Sequence, residues 1–254
     1  MYGKGSQANN TNVRRDSDVD IAVEWTETFD VNLWGDTVGM TPQQLGYVPA
    51  AVGVDPVDFR LRVERALVTE FGAASVDRTG DKAVKVLAGP TTFDADVVPC
   101  LQMRRYDRPQ LFHQGHRLYP RSGGSIDNYP QQHYDNGVAK NAATGGRYKD
   151  IVRGLKRLES ELVATGTLPN AYPSYLTECL VYNVPNGYFG NARLLDDLRG
   201  ALSYLWGELR TLAPPESWLE MSELLFLFHG ATGRSVSDAY RLVDVAWTAV
   251  GIRD

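Results

Sequence analysis

A chain of 254 residues with 43% hydrophobic and 22% charged residues has the composition of an ordinary soluble globular protein, one large domain or two lobes, and excludes a disordered polymer. The formal net charge of −5 argues against broad nucleic-acid binding, so nucleic acid is not a required partner; no apolar run nears the ~20 residues of a membrane helix, so no membrane partner is expected. Cys100 and Cys179 each stand in an apolar stretch, which predicts buried thiols in a reducing cytoplasm, and no signal peptide is expected before the first motif.

That motif is Gly5-Ser6, a turn that brings backbone N–H groups against phosphate oxygens because Gly5 has no side chain to block the approach. Residues 18–23, Asp-Val-Asp-Ile-Ala-Val, read as a strand in which Asp18 and Asp20 share a face. Held roughly 6 to 7 Å apart, the two carboxylates repel unless a cation lies between them, and their hard oxygens suit Mg²⁺. A polar turn leading into an edge strand with solvated aspartates fits the same residues. Gly35, Gly39, Pro42, Gly46, Pro49 and Pro56 predict a long loop over 24–56. A helix follows from Pro56 to Phe71, stopped by Gly72. Residues 83–87 and 91–99 form a hairpin through Ala88-Gly-Pro, with Pro99 ending its second strand. Residues 111–130 hold a further strand pair with turns.

Helices then take over. Tyr148, Ile151, Val152, Leu155, Leu158 and Leu162 keep the helical period between Arg147 and Val163, as do Leu194, Leu195, Leu198, Leu202, Leu205 and Leu209 farther on. Ser235 and Ser237 offer N-caps to a last helix bearing Tyr240, Val243, Trp247 and Val250. Lys149, Arg153 and Lys156, at i, i+4 and i+7, align in a basic stripe nearly opposite the apolar face, a pattern usual for a solvated surface. Strands first and helices later predict an α+β protein: a sheet lobe over 1–130, a helical lobe over 131–254, and an active site in the cleft between them.

Asp94 and Asp96 lie two apart in the hairpin strand, and either fits as a third metal ligand; the other reading is a strand face with solvated acids. Three converging carboxylates would serve two divalent ions, one activating a hydroxyl and one neutralising pyrophosphate. Here a family resemblance enters. Gly5-Ser6, the Ser17-Asp-Val-Asp-Ile run and Ala95-Asp-Val-Val-Pro are similar to the polymerase-beta-type nucleotidyltransferases, in the branch of the bacterial cGAS/DncV-like enzymes (CD-NTases). So are Gln132-His-Tyr-Asp-Asn-Gly-Val-Ala-Lys-Asn, the run from Arg147 to Leu158, and Tyr175-Leu-Thr-Glu-Cys-Leu-Val-Tyr-Asn-Val-Pro. The resemblance covers nearly the whole chain.

The resemblance implies a nucleotidyltransferase lobe and a helical lobe. It also implies synthesis of a cyclic di- or oligonucleotide second messenger from nucleoside triphosphates, with two Mg²⁺ or Mn²⁺ ions. The product would act on a downstream effector in antiphage defence (CBASS). Asp18, Asp20 and Asp96 would be the catalytic and metal-binding set, with Asp94 a neighbour and Gly5 and Ser6 on the donor triphosphate. Lys156 is implied as a triphosphate ligand and Ser174 as its helper, although a helix N-cap explains Ser174 equally well. Tyr175 fits either a stack on a nucleobase or the core, and His133 is read as structural. Family members carry an N-terminal helix and a full strand before the Gly-Ser turn, whereas only Met1-Tyr-Gly-Lys precedes Gly5, and Gln7 stands where an aromatic is common. Two other readings stay open: a transferase acting on RNA, a small molecule or a protein, and a non-catalytic nucleotide-binding protein.

Overall fold

The computed structural model describes residues 2–4, 9–12, 19–89, 93–213, 215, 217–228 and 234–252. They fall into two compact units, one drawn from the described residues of Met1–Ala8 and Arg14–Gln131, the other from those of Asn9–Val13 and Gln132–Asp254.

The first unit is built on one mixed sheet. Its strands are β1 (Tyr2–Lys4), β2 (Val19–Leu33), β3 (Val76–Asp77), β4 (Val84–Val86), β5 (Ala95–Arg108), β6 (Leu111–Leu118) and β7 (Ile126–Asn128). Their order is β1-β2-β5-β4-β3, with β6 pairing β5 and β7. β2 and β5 run parallel, and the other pairs are antiparallel. A short helix, α1 (Pro42–Leu45), precedes α2 (Pro56–Phe71). α2 starts where Asp55 accepts the Val57 N–H at 2.8 Å and stops at Gly72, whose φ of 82° is open to a residue without Cβ.

Strand alternation sorts the sheet's side chains onto two faces. Phe59 and Val63 of α2 pack on one face against Val86, Val97 and Leu101. On the other, Ala22, Val98, Cys100 and Leu118 make a smaller buried cluster. Burial on both faces holds the register of β2 and β5, because a slip of one residue would exchange the faces.

Two expectations change here. β2 does not end near Val23 but continues to Leu33, with a register break against β5 between Trp25 and Phe29. The glycines and prolines that suggest a loop over 24–56 all lie beyond Leu33, while Phe29, Val31 and Leu33 resume strand alternation after the break. β5 likewise runs through Pro99. On one side its pairing with β4 ends at Val97 and its pairing with β6 begins at Leu101, so Pro99 falls in the gap between two partners, where a missing donor is tolerated.

The second unit is helical: α3 (Pro130–Ala143), α4 (Arg147–Ala164), α5 (Ser174–Asn183), α6 (Leu194–Leu209) and α7 (Val236–Ala249). Leu155, Leu180, Leu202, Leu205, Leu209 and Leu242 are among its fully buried side chains, each worth roughly 1.5–3 kcal/mol of burial. The stripe on α6 starts later than its period suggests. Leu194 and Leu195 are exposed, and the buried Asp197 instead accepts the Gly190 and Asn191 N–H groups. Ser235 caps α7 by accepting the Asp238 N–H at 3.0 Å. Segment Asn9–Asn12 groups with this unit and not with residues 1–130, because Arg153 donates to the Asn10 carbonyl at 2.8 Å and Thr11 is held by Glu178. Cys100 and Cys179 are free and buried. Among the described residues no helix is long and apolar enough to cross a membrane.

Candidate active site

In the first unit the parallel pairing of β2 and β5 sets Asp20 directly beside Asp96. Each is the second residue of its strand, and partners on neighbouring strands face the same way, about 4.8 Å apart in the backbone. Ala22 and Val98 follow on the same face, so the small apolar cluster that buries them also aims both carboxylates. Farther along this face Glu24 meets His116 Nδ1 at 2.9 Å. Asp94 differs from Asp96. It precedes the strand, accepts the Ala88 N–H at 2.6 Å and pairs with Lys85 at 3.2 Å. The Ala88 hydrogen bond first, and Lys85 with it, hold the Asp94 carboxyl below the usual carboxylate range. Asp94 is therefore engaged in closing the β4–β5 connection. Asp18, Gly5 and Ser6 lie outside the described residues.

Both described carboxylates are half-buried and offer only oxygen donors, the chemistry that Mg²⁺ or Mn²⁺ takes, and so they fit a divalent ion. Among the described residues no three metal-ligating side chains cluster.

The second unit holds a buried polar network around Glu178. Its Oε1 pairs with Lys156 Nζ at 2.5 Å and accepts the Thr11 hydroxyl at 2.7 Å, while its Oε2 lies 3.3 Å from His133 Nε2. Lys156 also donates to the Thr11 carbonyl at 3.3 Å. Burial would push the Glu178 carboxyl up, but the His133 hydrogen bond and the Lys156 charge and hydrogen bond outweigh it and bring the carboxyl down to about 2.

Lys156 is 5% exposed and does not belong to a solvated stripe. It lies four residues after the buried Val152, on the flank of α4 that Thr11 and Glu178 cover, and its polar partners make that burial tolerable. Ser174 is the exposed first residue of α5 and makes no capping bond; the cap position belongs to Pro173. Tyr175 stacks on His133 with ring centroids 5.2 Å apart, lies beneath the Arg234 guanidinium and donates to Glu220 at 2.8 Å. Those contacts hold its ring within the second unit, and burial pushes its hydroxyl pKa up. Sequence reading gave Glu178 and Thr11 no role. The available signal was that Glu178 is the one charged residue in the Ser174–Asn183 helix.

Comparisons with known proteins agree with this layout. Residues 135–251 match the model of the cGAS/DncV-like nucleotidyltransferase C-terminal helical domain. The chain is 36% identical over 253 residues to the cyclic dipyrimidine nucleotide synthase CdnE of Legionella pneumophila, covering 98% of this chain and 83% of that protein. Among solved structures it is similar to the Rhodothermus marinus CdnE c-UMP-AMP synthase with Apcpp and Upnpp, at TM-score 0.83 and 32% identity, covering 100% of this chain and 85% of that one. The Elizabethkingia meningoseptica CdnE cyclic dinucleotide synthase with GTP and Apcpp aligns at TM-score 0.81 and 28% identity, over 98% of this chain and 84% of that one.

Proposed function

The chain belongs to the cGAS/DncV-like nucleotidyltransferases, and from that premise we propose that it joins nucleoside triphosphates into a cyclic oligonucleotide second messenger. The observation that carries the reading is the side-by-side placement of Asp20 and Asp96 on parallel strands, two of the three positions where the family resemblance puts catalytic carboxylates. A ribose hydroxyl attacks the α-phosphorus of a second nucleotide, the bond from that phosphorus to the bridging oxygen breaks, and pyrophosphate leaves. Asp96 takes the hydroxyl proton. A second transfer closes the ring.

Asp18, Asp20 and Asp96 are the residues that would hold two Mg²⁺ or Mn²⁺ ions, which when bound supply charge neutralisation at the attacking and leaving oxygens. Gly5, Ser6, Lys156 and Ser174 bind the triphosphate, while the ring of Tyr175 packs on His133 beneath Arg234. Lys156 suits this work: an ammonium has three N–H donors, and Glu178 and Thr11 engage two. Ser174 suits it as well, because the start of a helix favours anions. The similar proteins bear names with different products, dipyrimidine in one and UMP-AMP in another, so base choice varies on a shared fold. The product acts on an effector in the cytoplasm, in antiphage defence.

Mass spectrometry of products from all four ribonucleoside triphosphates with Mg²⁺ tests the reading. Phosphatase-resistant cyclic products are expected, and they should vanish with EDTA, Asp20→Ala or Asp96→Ala. Linear products alone would move the function to nucleotide transfer onto another acceptor, and triphosphate binding without pyrophosphate release to a non-catalytic role.

A further inference from the structure

Away from Asp20 and Asp96, the sheet of the first unit runs to an end where β2 stops at Leu33, β5 stops at Arg108 and β6 starts at Leu111. Apolar side chains are left in water there. The Trp34 ring lies 4.7 Å from the Arg105 guanidinium, and the Trp34 N–H and Thr37 hydroxyl both donate to the Tyr106 carbonyl, which seats residues 34–38 at the end of β5. Tyr47 stacks on Tyr106 with ring centroids 5.9 Å apart and brings its neighbour Val48 to the same end. Trp34, Val38, Val48, Leu111 and Phe112 are between 42% and 88% exposed. Single exposed apolar residues are ordinary, but large ones gathered at one end of a sheet mark a surface that contacts something else.

Two arginines stand among them. The Arg104 guanidinium carbon lies 3.8 Å from the centre of the Phe29 ring and 4.5 Å from that of Phe112. Its Nε is shut off from solvent and has no hydrogen-bond partner. Arg108 is exposed at the last position of β5. Elsewhere in this unit Arg60, Arg105, Arg117 and Arg121 each pair with a carboxylate. Among the described residues Arg104 and Arg108 have no such partner. Rings against the guanidinium hold it in place and displace water, leaving an N–H edge that matches the two oxygens of a carboxylate.

We propose that this end of the first unit is a docking surface for an extended segment of a partner protein in which acidic and apolar side chains alternate. Its carboxylates meet Arg104 and Arg108, and its apolar side chains cover Leu111, Phe112 and Val48. The acidic character follows from charge: two arginines without carboxylate partners are a basic spot on a chain of net charge −5. The extended form follows from β6. β7 pairs with it only over His116–Leu118, so among the described residues no strand lies outside Leu111–His113, and that edge admits another strand. Aromatic rings and arginine are the side chains that dominate interface energetics. The proposed nucleotidyl transfer uses none of these residues.

The test is selection of phage-displayed random peptides on the full chain, followed by fluorescence anisotropy of the enriched peptides on the parent and on Arg104→Gln, Arg108→Glu and Leu111→Ser. Enriched peptides should alternate Asp or Glu with apolar residues, and replacing their acids with Lys should abolish binding. Their Kd should rise about tenfold in Arg104→Gln and in Leu111→Ser, further in Arg108→Glu, and also with added NaCl. If Arg104→Gln fails to fold, Arg108→Glu and Leu111→Ser decide alone, because both side chains are exposed. No enrichment, enrichment of basic or uncharged peptides, or binding unchanged in Arg108→Glu and Leu111→Ser overturns the proposal. Sedimentation equilibrium tests a second copy as occupant: a parent that dimerises beside an Arg108→Glu chain that does not would assign the surface to self-association and overturn the partner. Inorganic phosphate that binds the parent as tightly as the peptides do would make Arg104 a small-anion site and overturn it as well.

Discussion

At the scale of single residues, the site depends on how acids are partnered. Asp94 and Asp96 differ by two positions in sequence, yet Asp94 is spent on the Ala88 N–H and Lys85, while Asp96 stands beside Asp20. Among the described acids, Glu178 is strongly altered by its surroundings. Its folded carboxyl, at about 2, lies below its ordinary value of 4.5. The sign is that of a depressed acid: the stability it contributes is present above pH 4.5 and is lost as pH falls through about 2, because protonation breaks its pairing with Lys156 and His133. Linkage at this depth amounts to a few kcal/mol. Urea midpoints measured at steps from pH 5 to pH 2 should therefore fall more steeply for the parent than for Glu178→Gln, and equal slopes would deny Glu178 this part in acid unfolding.

Elements show why the pair of carboxylates is so placed. β5 is the strand on which the sheet turns: β2 flanks it in parallel on one side, and on the other its partner changes from β4 to β6 across Pro99. Gly115 of β6 lies opposite Met103 in that second half. A Cβ there would come within 2.7 Å of the Asn128 carbonyl oxygen, 2.8 Å of the Tyr129 ring and 2.9 Å of Met103 Cε. Backbone on one side and a buried ring on the other leave little to yield, so Gly115→Ala should cost about 1–3 kcal/mol in denaturant unfolding. Gly137→Ala in α3 meets only the tip of Met221 at 2.8 Å and should cost less. Equal losses would mean that β6 and β7 adapt as readily as a methionine side chain.

For the whole molecule, binding and stability are linked, because a ligand that prefers the folded state adds RT ln(1 + [L]/Kd). At a hundredfold excess over Kd that is about 2.7 kcal/mol, or a melting-temperature rise of about 5–10 °C for a chain of this size. Apcpp, Upnpp or GTP with Mg²⁺ should produce such a rise in the full chain. EDTA should remove most of it, and so should Asp20→Asn, which keeps the side chain's size and removes its charge. A rise that survives both would place triphosphate binding away from the carboxylates.

The sequence by itself determined what depends on neighbours along the chain. The helix at Pro56–Phe71, the helical second half, the hairpin of β4 and β5 and the spacing of Asp18, Asp20 and Asp96 are written in local period and turn residues, and the family blocks pointed to nucleotidyl transfer. Only the tertiary structure decided which strand tolerates a proline, because that depends on where two other strands begin and end. It also decided that Lys156 is buried and that Thr11, 167 residues from Glu178 in sequence, shares its carboxylate. A buried charge is stable only beside its partner, and no periodicity in a chain records a partner so far away.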